Sequence, residues 1–246
     1  TFIVPICLLA GKNLPNQKNL ILVMLVIELL LYITFSTTNL ILFYVCFESI
    51  LIPMFYLIIV WGSRSRKIKA AFYLFLYTVF GSIFFFIGFL LIYTEFNCYN
   101  FNSSFIYYLR VFQFNEKYDF GHITFYRQII IWFGFFVTFA IKIPIFPFHI
   151  WLPEAHVEAP TIGSVILASL LLKIGGYGMI KFLLIFELAT EFMQPFVYVV
   201  CLISIFYASF TALRQLDIKK IIAYSSIAHM NFVVLAIFSL TFDCLS

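Results

Sequence analysis

Seven stretches of this chain, each close to twenty residues long and almost wholly apolar, decide what it can fold into. They run roughly from Asn19 to Thr37, Asn39 to Trp61, Ala70 to Tyr93, Gln128 to Ile150, Thr161 to Phe182, Gln194 to Leu213 and Lys220 to Thr241, after a shorter run from Thr1 to Ala10. At 1.5 Å rise per residue, twenty helical residues cross about 30 Å of hydrocarbon. With 64% of its residues hydrophobic and 11% charged, the chain lies outside the usage of soluble domains. The expectation is an all-α polytopic membrane protein of about seven to eight transmembrane helices, surrounded by lipid and not binding nucleic acid.

If the chain crosses at every run, one side of the membrane collects Lys12, Lys18, Arg64, Arg66, Lys67, Lys69, Arg214, Lys219 and Lys220. The other side holds Arg110, Lys117, Arg127 and Lys181, together with Glu95, Glu116, Asp119, Glu187, Glu191 and Asp243. The positive-inside rule makes the first side bacterial cytoplasm or mitochondrial matrix. The segment from Thr94 to Arg127 mixes charges with aromatics and is expected to include a short interfacial stretch. The cysteines form no C-x-x-C pair, so they are read as small hydrophobes, with neither a metal site nor a disulfide framework signalled.

Four ionisable residues stand inside the apolar runs: Glu48, Lys142, Lys173 and His229. Each is about 14 to 21 Å from the surface at which its helix starts, near the midplane. A charge there costs roughly 2.5 to 3.5 kcal/mol, so these groups are expected to face the bundle interior and to carry function. A structural ion pair would account for Glu48 with one lysine, but leaves the second lysine over. His229 alone could equally be a core residue satisfied by Tyr224, Ser225 or Ser226. Glu28 is a secondary candidate, as a possible partner of Lys142 or Lys173.

Pro144 and Pro147 follow Lys142 closely, and each removes a backbone donor and collides with the carbonyl four residues back. The helix is therefore expected to break beside the lysine, as membrane helices do where they line a polar cavity. After the break, His149, Trp151, Pro153, Glu154, His156, Glu158 and Pro160 form a polar segment near the inner face, where His149 and His156 are secondary relay candidates. Their spacing fits no metal-ligand template. Gly175-Gly176-Tyr177-Gly178 lies within a helical run rather than between a strand and a helix, so it signals close helix packing or a local opening beside Lys173, not a nucleotide loop.

The strings FYVCFESILIP (Phe43 to Pro53), AIKIPIFPFHIWLPEAHVEAPTIGSVILASLLLKIGGYG (Ala140 to Gly178) and LRQLDIKKIIAYSSIAHM (Leu213 to Met230) resemble the subunit 4 family of proton-pumping respiratory NADH:ubiquinone oxidoreductase. These are antiporter-like membrane proteins related to Mrp-type cation/proton antiporters. The sibling pump subunits 2 and 5 match the strings less well. The resemblance implies that Glu48 is the glutamate at a subunit interface, Lys142 the lysine of the broken helix, Lys173 the central-axis lysine and His229 a member of the connecting polar chain. It also implies no cofactor in this chain: NADH, flavin, iron–sulfur and quinone sites belong to other subunits.

Family members have about fourteen helices in two inverted five-helix repeats. On that pattern residues 1–18 are the end of a truncated helix and an inner loop, 19–182 the first repeat with its proline-broken helix, and 183–246 the first two helices of the second repeat. The expectation is therefore a split or partial chain that neighbours subunits 2 and 5, with a separate chain supplying the missing helices. The location implied is the mitochondrial inner membrane with the basic loops facing the matrix, and the bias to Phe, Ile, Leu, Tyr and Asn suits an A+T-rich mitochondrial genome. Two other readings stay open: a subunit of an Mrp-type antiporter, and a structural membrane-arm segment that does not pump.

Overall fold

The computed structural model describes residues 2–12, 14–96, 125–183 and 186–239. These fold as nine helices: α1 (Ile3–Ala10), α2 (Gln17–Ser36), α3 (Leu40–Trp61), α4 (Lys67–Phe96), α5 (Phe125–Lys142), α6 (Trp151–Glu158), α7 (Thr161–Leu183), α8 (Glu187–Leu213) and α9 (Ile218–Ser239). By length and apolarity α2, α3, α4, α7, α8 and α9 can each cross a bilayer. The run from Gln128 to Ile150 folds as α5 plus the irregular turn after it, and α6 resumes the helix. The chain is thus the all-helical polytopic protein its apolar runs predict. The interfacial stretch expected within Thr94 to Arg127 lies almost wholly outside the described residues.

Local chemistry sets the boundaries. Asn39 caps α3 with its side-chain oxygen, which accepts from the amides of Ile41 at 2.9 Å and Leu42 at 3.3 Å. Pro53 has no amide to give the Ser49 carbonyl, and α3 loosens for one residue at Ile50, two residues after Glu48. α7 widens into two π-helical turns, Leu167–Leu171 and Met179–Leu183, one on each side of the segment that carries Lys173.

α4 packs along α5 and α8 along α9, while the short α6 is wedged between α4 and α9. The core is strongly aromatic: Phe43, Phe47, Phe85, Phe139 and Phe182 stack edge and face through one cluster at the contact of α3, α4, α5 and α7. Polar stitches tie the ends. Trp61 donates to the Pro15 carbonyl at 2.7 Å, Tyr177 to the Phe35 carbonyl at 3.0 Å, and Trp132 to the Thr190 hydroxyl at 3.0 Å. On the basic face, Arg64 and Asp217 join the α3–α4 and α8–α9 loops across 3.1 Å.

Candidate functional site

The break in α5 is built from its prolines. Without an amide on Pro144, the Ala140 carbonyl is taken instead by the amide of Ile145 at 2.8 Å. The Ile141 carbonyl, also released, accepts the indole of Trp151 at 2.8 Å, so the first residue of α6 satisfies the last turn of α5. Farther along, the amide of Phe146 donates to Ser204 of α8 at 3.2 Å, and Ser204 lies 3.1 Å from the side-chain oxygen of Asn231 on α9. The irregular backbone expected beside Lys142 is present, and it is held by protein on several sides rather than left to lipid.

Lys142, the last residue of α5, is 4% exposed. Its ammonium lies over the face of Phe47, 4.1 Å from the ring centre. The next residue, Glu48, is part-buried, and its carboxylate and the Lys142 ammonium sense each other's charge. No direct ion pair joins the two, and Oε1 of Glu48 is buried without a hydrogen-bond partner among the described residues. The Ser82 hydroxyl of α4 sits beside both Glu48 and Tyr44, completing the polar lining on that side. Two of the four sequence candidates are thus brought together, and α3 presents both partners of Lys142 from adjacent positions.

The glycines of α7 explain how the lysine-bearing helices approach. A methyl on Gly175 would meet Cγ1 of Ile143 at 2.6 Å, and one on Gly178 would collide with the ring of Phe139. Only hydrogen at these positions lets α7 lie against the end of α5. Close helix packing was one of the two readings offered for this string.

Lys173 and His229 are not brought to the Lys142 site within the described residues. Both sit at mid-span, but both project from the outer face of the described bundle rather than into it. Lys173 turns back to the Ala168 carbonyl at 2.9 Å, a bond made inside its own loosened helix. Ser225 and Ser226, the hydroxyls that would satisfy His229 as a core residue, donate instead to the Ile222 and Ala223 carbonyls of their own helix. Their helices are apolar nearly all round, so depth was readable and facing was not. Glu28 is part-buried on α2. The charge that Lys142 senses is that of Glu48, so the alternative pairing of Glu28 with Lys142 is set aside.

The secondary histidines are buried in and beside α6. His149 packs on Phe146 and edge-on to Tyr207 at 4.9 Å, and its Nδ1 has no hydrogen-bond partner among the described residues. The same holds for Nε2 of His156 and Oε2 of Glu158. Burial, then the positive charge of Lys219, pushes the His156 imidazole down to about 4. Lys219 itself donates to the Ala159 carbonyl at 2.9 Å. His156 and Glu158 lie two residues apart, on opposing sides of their helix.

Sequence reading missed Phe47, Ser82, Ser204 and Asn231. Asn231 is fully buried two residues beyond His229, and an amide inside an apolar run was a signal of the same kind as the histidine.

The family described as NADH:quinone oxidoreductase/Mrp antiporter, TM, matches residues 37–246. NADH-ubiquinone oxidoreductase chain 4 of Arabidopsis thaliana is 49% identical over 98% of this chain and 46% of its own length. The protein of that name from Acanthamoeba castellanii is 47% identical over 97% of this chain and 46% of its length, and that from Chondrus crispus 50% identical over 92% and 43%. The chain spans about half the length of the curated relatives it matches. A chain in the structure of respiratory complex I from Thermus thermophilus with bound NADH superimposes with a TM-score of 0.79, covering 96% of this chain and 48% of that one. At 24% identity this likeness is one of fold.

Proposed function

The chain belongs to the NADH:quinone oxidoreductase/Mrp antiporter family of membrane proteins, and from that membership we propose that it is a proton-translocating membrane-arm part of a respiratory NADH:ubiquinone oxidoreductase. It acts as a part of that translocase, in the mitochondrial inner membrane with its basic loops toward the matrix, and is not catalytic alone. Redox cofactors reside in other subunits. Subunits 2 and 5 are its neighbours, and further protein covers the outer face that carries Lys173 and His229.

The observation that carries this reading is the buried Lys142 at the broken end of α5, facing the charge of Glu48 at membrane depth. An ion pair kept only for structure would close into direct contact with satisfied oxygens. Here the two charges interact without pairing, beside a backbone break held open by Trp151 and Ser204. Adding a proton to Glu48 weakens the hold of Lys142 on its own, so a change at one group is felt as proton release at the other. Lys173 and His229 carry the proton onward, with His149 and His156 as secondary members toward the basic face.

The test is Lys142→Met, Lys173→Met and Glu48→Gln in the intact complex, with protons translocated measured per NADH oxidised. The two lysine variants are expected to lose pumping, and Glu48→Gln to slow it while the complex assembles normally. Unchanged rate and stoichiometry in both lysine variants would sink the proposal. A dependence on sodium would move the reading to the cation-antiporter branch of the family.

A further inference from the structure

We infer that Phe47 is a positioning residue for Lys142: its ring face is a second seat for the ammonium, alternative to the Glu48 carboxylate on the next residue of the same helix. The inference rests on the proposal that Lys142 carries protons and adds how the charged side chain is held between transfers.

The geometry is specific. The ammonium stands 4.1 Å from the ring centre, and the ring is 1% exposed. Phe43 stacks on it at 5.5 Å, Phe85 at 6.4 Å, and Phe139 meets it edge-on at 6.2 Å, so the ring is fixed by close-packed neighbours. Successive helical residues point about 100° apart, so Phe47 and Glu48 can flank the tip of one lysine. In this structure the tip is on the ring, and Oε1 of Glu48 stands without a hydrogen bond.

An aromatic face attracts a cation through its quadrupole, most strongly where water is excluded. Unlike a carboxylate, it offers no proton acceptor and sets no hydrogen-bond direction. Lys142 can therefore rest there charged, without giving up its proton, and leave without breaking a hydrogen bond. When Glu48 is anionic the carboxylate competes for the ammonium and supports its charge; when Glu48 is protonated the ring alone holds it, weakly enough that the proton can pass onward. The aromatic seat thus positions the ammonium between transfers without itself taking the proton.

The experiment compares Phe47→Leu, Phe47→Trp and Phe47→Tyr in the intact complex, beside Lys142→Met, measuring assembly and proton-translocation rate. Leucine keeps the bulk of the side chain and removes the π face. It is expected to assemble normally and translocate about tenfold more slowly, which is about 1.4 kcal/mol. Tryptophan and tyrosine retain a face, and either is expected to hold the rate within about twofold, in line with the persistence of the cation–π contact. A space-filling role predicts the opposite order, because the added atoms of tryptophan and the buried hydroxyl of tyrosine strain a packed core that leucine fits. Leucine pumping as well as or better than the aromatic variants overturns the inference. The two readings fail separately: unaffected pumping in Lys142→Met removes the proton-carrying role itself, whereas loss there with a normal Phe47→Leu removes only the seat.

Discussion

At the scale of single residues the fold withholds charge from His156. An unfolded histidine titrates near 6.5, whereas burial beside Lys219 brings this one down to about 4. Between those values the unfolded chain binds the proton and the folded one does not. The contribution of His156 to stability is therefore intact above pH 6.5 and is lost as pH falls toward 4, a loss of about 3 kcal/mol over the interval. The midpoint of thermal unfolding of the purified complex, followed from pH 7 to 4, is expected to drop in the native protein and to drop less in His156→Gln. Asp217, held low by Arg64, adds its own loss only at the acid end of the range. Lys142 and Glu48 were legible because a charge in an apolar run is conspicuous whatever surrounds it. Phe47 was not, being one phenylalanine among 34, with a role that exists only through where the ammonium rests. Lys173 and His229 stand at the depth the sequence indicates, and within the described residues both lie on the outer face of the bundle. In a helix apolar on all sides no polar stripe marks which side is inner.

At the scale of elements the contact of α7 with the end of α5 depends on two glycines and spares a third. Gly178→Ala drives a methyl into the Phe139 ring, which is locked in the aromatic cluster, and is expected to cost roughly 1 to 3 kcal/mol. Gly176→Ala has nothing within 4 Å of the added methyl and is expected to be neutral or to stabilise the helix by up to about 1 kcal/mol. Thermal midpoints of the two variants in the assembled complex check the contrast, and equal losses would show that α7 is limited by its backbone rather than by the approach to α5. The run of glycines inside a helix announced close packing, and the paired prolines announced the break, because both act through the backbone of their own segment. The partners that hold the break lay beyond that reach. Trp151 is ten residues from Ile141 and Ser204 is 58 from Phe146, and no local pattern encodes such pairings. The π turns likewise leave no signature in composition.

At the scale of the whole molecule, the outer face of the described bundle carries two ionisable side chains at mid-span, which hydrocarbon does not tolerate without cost. A structure of the assembled particle is expected to show protein, not lipid, against Lys173 and His229, with a polar or ionisable group approaching each. Lipid tails packed on both would remove these two residues from the proton path and leave Lys142 and Glu48 alone in it. The ends of the helix that carries Lys173 are tied down, at one end where the Ala159 carbonyl just before it accepts from Lys219 and at the other where Lys181 donates to the Thr37 carbonyl. Between them lie the two π turns. Five residues wound in a π turn advance less angle than five in an α turn, a lag of about a quarter revolution. The middle of α7 is therefore out of phase with each of its anchored ends. Shifting that lag from one side of Lys173 to the other would swing the lysine around the helix axis, as a gear tooth moves between fixed bearings, while the ends of the crossing and the outline of the molecule stay where they are.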